Sequence, residues 1–99
     1  MKIDNPILYQ IWEDRYCKND ETIEDNLHRV AKFCANNEKE ENEFFNIMNE
    51  GLFFPAGRTM SNAGIGRDLT LNNCFVAPQI QDDLSDIFDK VKLGAITHQ

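Results

Sequence analysis

Phe53-Phe-Pro-Ala-Gly-Arg-Thr-Met-Ser-Asn-Ala-Gly-Ile-Gly-Arg-Asp-Leu-Thr-Leu-Asn-Asn-Cys-Phe-Val76 reads as a glycine-rich polar loop that delivers a cysteine onto a strand. Pro55 fixes its own backbone angle and cannot extend a preceding helix. Gly57, Gly64 and Gly66, with Asn62 between them, allow positive backbone angles or close backbone approach. Arg58, Thr59 and Ser61 add one fork-shaped cation and two hydroxyls, a set suited to phosphate or ribose oxygens. The same composition also describes a plain connector. From Leu69 to Ala77 the pattern predicts a strand, with β-branched and aromatic residues in its second half. Period-two alternation places Leu69, Leu71, Asn73, Phe75 and Ala77 on one face, and Thr70, Asn72, Cys74 and Val76 on the other. Cys74 thus shares a face with polar groups, although a free cysteine is more commonly a buried packing residue.

Upstream, three short helices are expected over residues 1–52. Asn5-Pro6 is a start signal, and Ile7, Leu8, Ile11, Trp12 and Tyr16 form an apolar stripe. Lys18-Asn-Asp20 turns the chain, and Thr22 with Asp25 resembles a capping box. Ile23, Leu27, Val30, Ala31 and Cys34 make the second stripe, with His28 on its solvated flank. Glu38 to Glu43 reads as a charged connector or an acidic first turn. Phe44, Phe45, Met48 and Leu52 supply the third stripe, and Gly51 suits a helix C-terminus. Downstream of Pro78, Asp82 or Asp83 begins a helix carrying Leu84, Ile87, Phe88, Val91 and Ala95. Cys17 and Cys34 fall in predicted helices as packing residues.

Ninety-nine residues set an upper bound of one small domain. A hydrophobic share of 41% with 27% charged residues describes a folded, soluble chain. Ten basic against 17 acidic residues give a formal charge of −7, which argues against a nonspecific hold on nucleic acid or anionic membrane. There is neither a long apolar run nor a basic-then-apolar leader, so the expected location is cytoplasmic. Three cysteines without CxxC spacing and two scattered histidines predict no metal site.

Three ordered motifs carry a resemblance over nearly the whole chain. Pro55-Ala-Gly-Arg-Thr-Met-Ser-Asn-Ala-Gly64, Leu71-Asn-Asn-Cys-Phe-Val76 and Asp82-Asp-Leu-Ser-Asp-Ile-Phe88 together resemble the catalytic subunit of ribonucleotide reductase, most of all the adenosylcobalamin-dependent class. Trp12 to Tyr16 and Leu27 to Ala31 resemble the helical segment that precedes the barrel in that family. The resemblance implies that Cys74 is one half of the dithiol pair that reduces the ribose and becomes a disulfide. It implies substrate contacts from Gly57, Arg58, Thr59, Ser61 and Asn73, and places a deoxynucleoside triphosphate effector at Asp82, Asp83 and Leu84, at a dimer interface. Many members carry serine or threonine where this chain has Gly57, and proline where it has Arg58. Adenosylcobalamin and a dithiol reductant such as thioredoxin are implied as well, the former held by parts outside this stretch.

The expected architecture is therefore a mainly α region over residues 1–52, followed over 53–99 by the substrate loop, first strand and first helix of a ten-stranded α/β barrel, an incomplete domain. Its partners would be the remainder of the catalytic chain, a ribonucleotide, and a second copy of the full enzyme, with no nucleic acid and no membrane. A second reading stands beside it: a small acidic helical interaction module, in which the glycine-rich loop is a connector, Cys74 is core, and Asp82 and Asp83 are ordinary helix-start residues. A helix-turn-helix DNA binder is disfavoured by the charge and by the lack of a basic recognition helix.

Overall fold

The computed structural model describes residues 1–99 as five helices with no β-strand: α1 (Pro6–Arg15), α2 (Ile23–Cys34), α3 (Glu38–Asn49), α4 (Gly57–Asn62) and α5 (Leu84–Thr97). Local sequence chemistry accounts for most of the ends. The Asn5 side chain accepts from the Ile7 and Leu8 amides at 2.9 and 3.3 Å, with Pro6 in the first turn, where no amide donor is needed. The Thr22 hydroxyl accepts from the Asp25 amide at 3.2 Å while the Asp25 carboxylate accepts from the Thr22 amide at 3.1 Å, a complete capping box. Asn37 caps α3, whose first turn carries Glu38, Glu40 and Glu41. Gly51, at φ +74°, releases the chain from that helix in the left-handed region. Asp83 caps α5 by accepting from the Asp86 amide at 3.2 Å.

Helix α2 is the hub. It packs on α3 along one flank and on α4 along another. Leu27, Val30, Ala31, Met48 and Ala63 form the buried cluster, with Ile23, Phe44, Phe45, Met60 and Leu71 packed against it. Each large aliphatic buried there contributes roughly 1.5–3 kcal/mol. His28 is exposed on the α2 flank, as its position predicted, and its ring stacks on Phe45 with centroids 3.7 Å apart.

Four expectations change. Leu69 to Ala77 is irregular rather than a strand. A strand is stabilised by pairing its backbone donors and acceptors with a neighbour, and no other segment of this chain runs alongside as one. The segment is instead tethered by side chains: Asn62 Nδ2 donates to the Thr70 carbonyl at 2.9 Å, and the Thr59 hydroxyl to the Leu71 carbonyl at 3.5 Å. Gly57 to Asn62, read as loop, winds into the short helix α4, and the loop is confined to the turn through Gly64 and Gly66. The α1 stripe buries only Trp12, leaving Ile7, Leu8 and Ile11 exposed. Cys17 lies beyond the end of α1, and Cys34, at the end of α2, is exposed.

With only seven residues buried and a radius of gyration of 17.8 Å, against about 13 Å for a compact domain of 100 residues, the chain is elongated. The apolar residues Leu84, Phe88, Val91 and Ile96 of α5 are all exposed.

Candidate functional site

A buried polar hub lies behind the site. Asn26 is fully buried at a position of the α2 stripe where an apolar side chain would be expected. Its Nδ2 donates to the Tyr16 carbonyl at 3.0 Å and to Glu21 Oε1 at 2.9 Å, while Trp12 Nε1 reaches its Oδ1 at 3.5 Å. Arg29 grips Glu21 with two parallel bonds, Nη2 to Oε1 at 2.8 Å and Nε to Oε2 at 3.1 Å. The same guanidinium donates to the carbonyls of Tyr16, Met60 and Ala63. The end of α1, the approach to α2 and the C-terminal part of α4 are therefore fixed to one ion pair. Burial by itself would raise the Glu21 carboxyl, but hydrogen bonds from Arg29 and Asn26, with the Arg29 charge, outweigh it and hold the group below the usual range. Burial, then the negative charges of Glu21, Asp20 and Glu13, push the neighbouring Cys17 thiol up, which disfavours a reactive thiolate there.

Helix α4 owes its position to this hub. It has no side-chain cap of its own, but Met60 and Ala63 offer their carbonyls to Arg29, and the Ser61 hydroxyl donates to the Arg15 carbonyl at 3.1 Å. Gly57 sits under the Tyr16 ring, where an added Cβ would lie 3.3 Å from the phenol oxygen. Gly64, at φ +75°, lets the chain leave α4 against the Arg29 backbone, whose carbonyl would lie 3.2 Å from a Cβ.

The expected substrate residues converge in part. Gly57, Arg58, Ser61 and Asn73 border one open cleft of roughly 360 Å³ between the end of α1 and α4, joined by Arg15 and Tyr16. Thr59 is not on its wall and instead tethers Leu71. The cleft is bordered by two arginines and by no acidic residue. A larger hollow of roughly 710 Å³ is its electrostatic opposite, bordered by Glu13, Asp20 and Glu24 beside Tyr9 and Trp12, and it would repel a phosphate.

Cys74 carries a free, exposed thiol, so the packing alternative for it does not hold here. It lines an adjacent hollow of roughly 520 Å³ with Lys90, Leu93 and Thr97 of α5 and with His98, which caps the C-terminus of that helix. Asn73 belongs to both walls. Asp82, Asp83 and Leu84 are exposed at the N-terminal end of α5, Leu84 lying about 9 Å along the helix axis from Lys90 and about 20 Å from Thr97 at 1.5 Å per residue. No group of three or more His, Cys, Asp and Glu side chains is placed to hold a metal ion.

Sequence reasoning missed Arg15, Tyr16, Asn26 and Arg29. Asn26 was detectable as the one amide set between Ile23, Leu27 and Val30, and buried polar groups demand partners. Nothing in the sequence linked Arg15 to residues more than 40 positions away.

These features define an all-helical domain that presents a short helix and a basic cleft beside a free cysteine. The family described as "Ribonucleotide reductase, all-alpha domain" matches residues 5–68, well over half of the chain, and the protein belongs to that family. The match spans the hub and the Gly57 to Ser61 segment and ends before Asn73 and Cys74. No curated protein and no solved structure matches significantly. No helix is long and apolar enough to cross a membrane.

Proposed function

We propose that this chain is the N-terminal part of a ribonucleotide reductase catalytic chain, with Cys74 supplying one of the two thiols that reduce the ribose. The observation that carries the reading is the placement of an exposed, unpaired Cys74 thiol directly after Asn73, which walls the cleft formed by Gly57, Arg58 and Ser61. Those residues hold the ribonucleotide; Asn73 orients the sugar toward the thiol. In the reaction the C2′–oxygen bond breaks and the oxygen leaves as water. Two thiols, Cys74 and one provided elsewhere in the enzyme, give up two electrons and two protons and become a disulfide. A dithiol protein of the thioredoxin type then reduces that disulfide by thiol exchange.

Adenosylcobalamin, the cofactor that the resemblance implies, would supply the initiating radical. The resemblance implies that other parts of the enzyme hold it. Asp82, Asp83 and Leu84, exposed at the start of α5, are proposed to meet a deoxynucleoside triphosphate effector where two catalytic chains pair.

The test is multiple-turnover ribonucleotide reduction by the enzyme containing this chain, driven by a dithiol, with Cys74→Ser as comparison. The expected result is a loss of about 100-fold or more in turnover, because a hydroxyl cannot exchange with a disulfide. An active enzyme indifferent to the substitution defeats the reading and returns Cys74 to an ordinary surface residue.

A further inference from the structure

The cleft between α1 and α4 has a cation that neither the sequence motifs nor the family match assigned to it. Arg15, in the last turn of α1, stands on the same wall as Arg58 of α4. The ion pairs of the molecule are Lys2 with Asp4, Arg29 with Glu21 and Lys90 with Asp86, so neither cleft arginine is neutralised by a carboxylate. In a chain of formal charge −7 this is a local reversal of sign, with two arginines bordering a space lined otherwise by Tyr16, Gly57, Ser61, Asn62 and Asn73. Guanidinium forks match phosphate oxygens in pairs, and two arginines bordering one opening suit a ligand with more than one phosphate group. The geometry is held from behind. The Ser61 hydroxyl donates to the Arg15 carbonyl, and Arg29 binds the carbonyls of Tyr16 and Met60, so the two arginine-bearing backbones are fixed to each other.

We infer that Arg15 and Arg58 form a clamp for the phosphate tail of a nucleoside polyphosphate, with Arg15 as a specificity-determining contact contributed by the helical region. This rests on reading the cleft as the ribonucleotide site, and it adds the group that sets affinity for the phosphates. Arg15 touches the tail, not the ribose, so its loss acts on binding and leaves the thiol chemistry in place.

The test uses the enzyme containing this chain and two measurements. Inorganic pyrophosphate is titrated calorimetrically into the wild-type, Arg15→Gln and Arg15→Lys proteins, and KM and kcat for the ribonucleotide are measured on the same three. The clamp requires pyrophosphate affinity to fall about tenfold or more in Arg15→Gln, with the loss in kcat/KM carried by KM. It also requires partial recovery in Arg15→Lys and a wild-type affinity that weakens with salt. Equal pyrophosphate affinity in wild type and Arg15→Gln overturns the clamp, whether or not the enzyme reduces ribonucleotides. An Arg15-dependent pyrophosphate site in an enzyme indifferent to Cys74→Ser keeps the clamp and removes the reductase reading instead.

Discussion

Residues 1–66 and residues 67–99 obey different rules. In the first stretch every buried side chain of the molecule is found, and most helix ends are tied by a cap, a glycine or the Arg29 hub. In the second, α5 has a sound cap and an i,i+4 pair between Asp86 and Lys90 at 2.9 Å, yet none of its residues is buried. Local signals are therefore enough to wind a helix, while burial against a second surface is what locates it. The first stretch has both, the second only the former.

The largest effect expected in this contrast comes from Arg29→Ala. It strands the Glu21 carboxylate, whose side chain is 11% exposed, and frees the carbonyls that hold α4. A loss of about 3–5 kcal/mol is expected from an ion pair broken on one side, read as a lowered urea midpoint. A midpoint unchanged by Arg29→Ala would show that apolar packing alone docks α4.

Acid should act on the same pair. The folded-state pKa of Glu21 is lowered, so its contribution is fully present above the unfolded value of about 4.3 and disappears as pH falls through the lower folded value. Asp25, lowered by hydrogen bonds with the Thr22 backbone and hydroxyl, contributes with the same sign. Glu21→Gln is expected to be less stable at neutral pH and to lose less on acidification. A thermal midpoint whose fall between pH 6 and pH 3 matches that of wild type would remove Glu21 from the account.

The smallest effect should come from Phe88→Ala in α5. Phe88 is 63% exposed, and removing its ring should change the stability of the helical bundle by no more than about 0.5 kcal/mol. Amide exchange sharpens the point, since α2 amides should exchange slowest and those of α5 fastest among the helices. Slow exchange in α5, or a large cost for Phe88→Ala, would mean that this face is covered in solution.

The sequence made the helix ends legible because capping is written in adjacent residues: Asn5-Pro6, Thr22 with Asp25, Asp83, and Gly51 each state their geometry within one turn. The segment through Cys74 was read as a strand because its residue types suit a pleated surface, but strand formation depends on a partner that no local pattern supplies. Helix α4 was missed for the opposite reason. Gly57, Ser61 and Asn62 are poor helix formers, and long-range bonds from Arg29 and Ser61 override that preference. Of the residues bordering the cleft, Gly57, Arg58, Ser61 and Asn73 stand in the motifs, whereas Arg15 joins them only because the end of α1 meets α4.

Asn73 is a party wall. It bounds the cleft on one side and the Cys74 hollow on the other, so a shift of this one backbone changes the shape of both. Whatever free energy a bound anion gains or loses when Cys74 is alkylated or bridged must reappear, with the same sign and size, as a change in the thiol's own tendency to react when the anion is present. A thiol–disulfide exchange equilibrium of Cys74 that shifts with pyrophosphate would be that coupling measured directly, without any turnover at all.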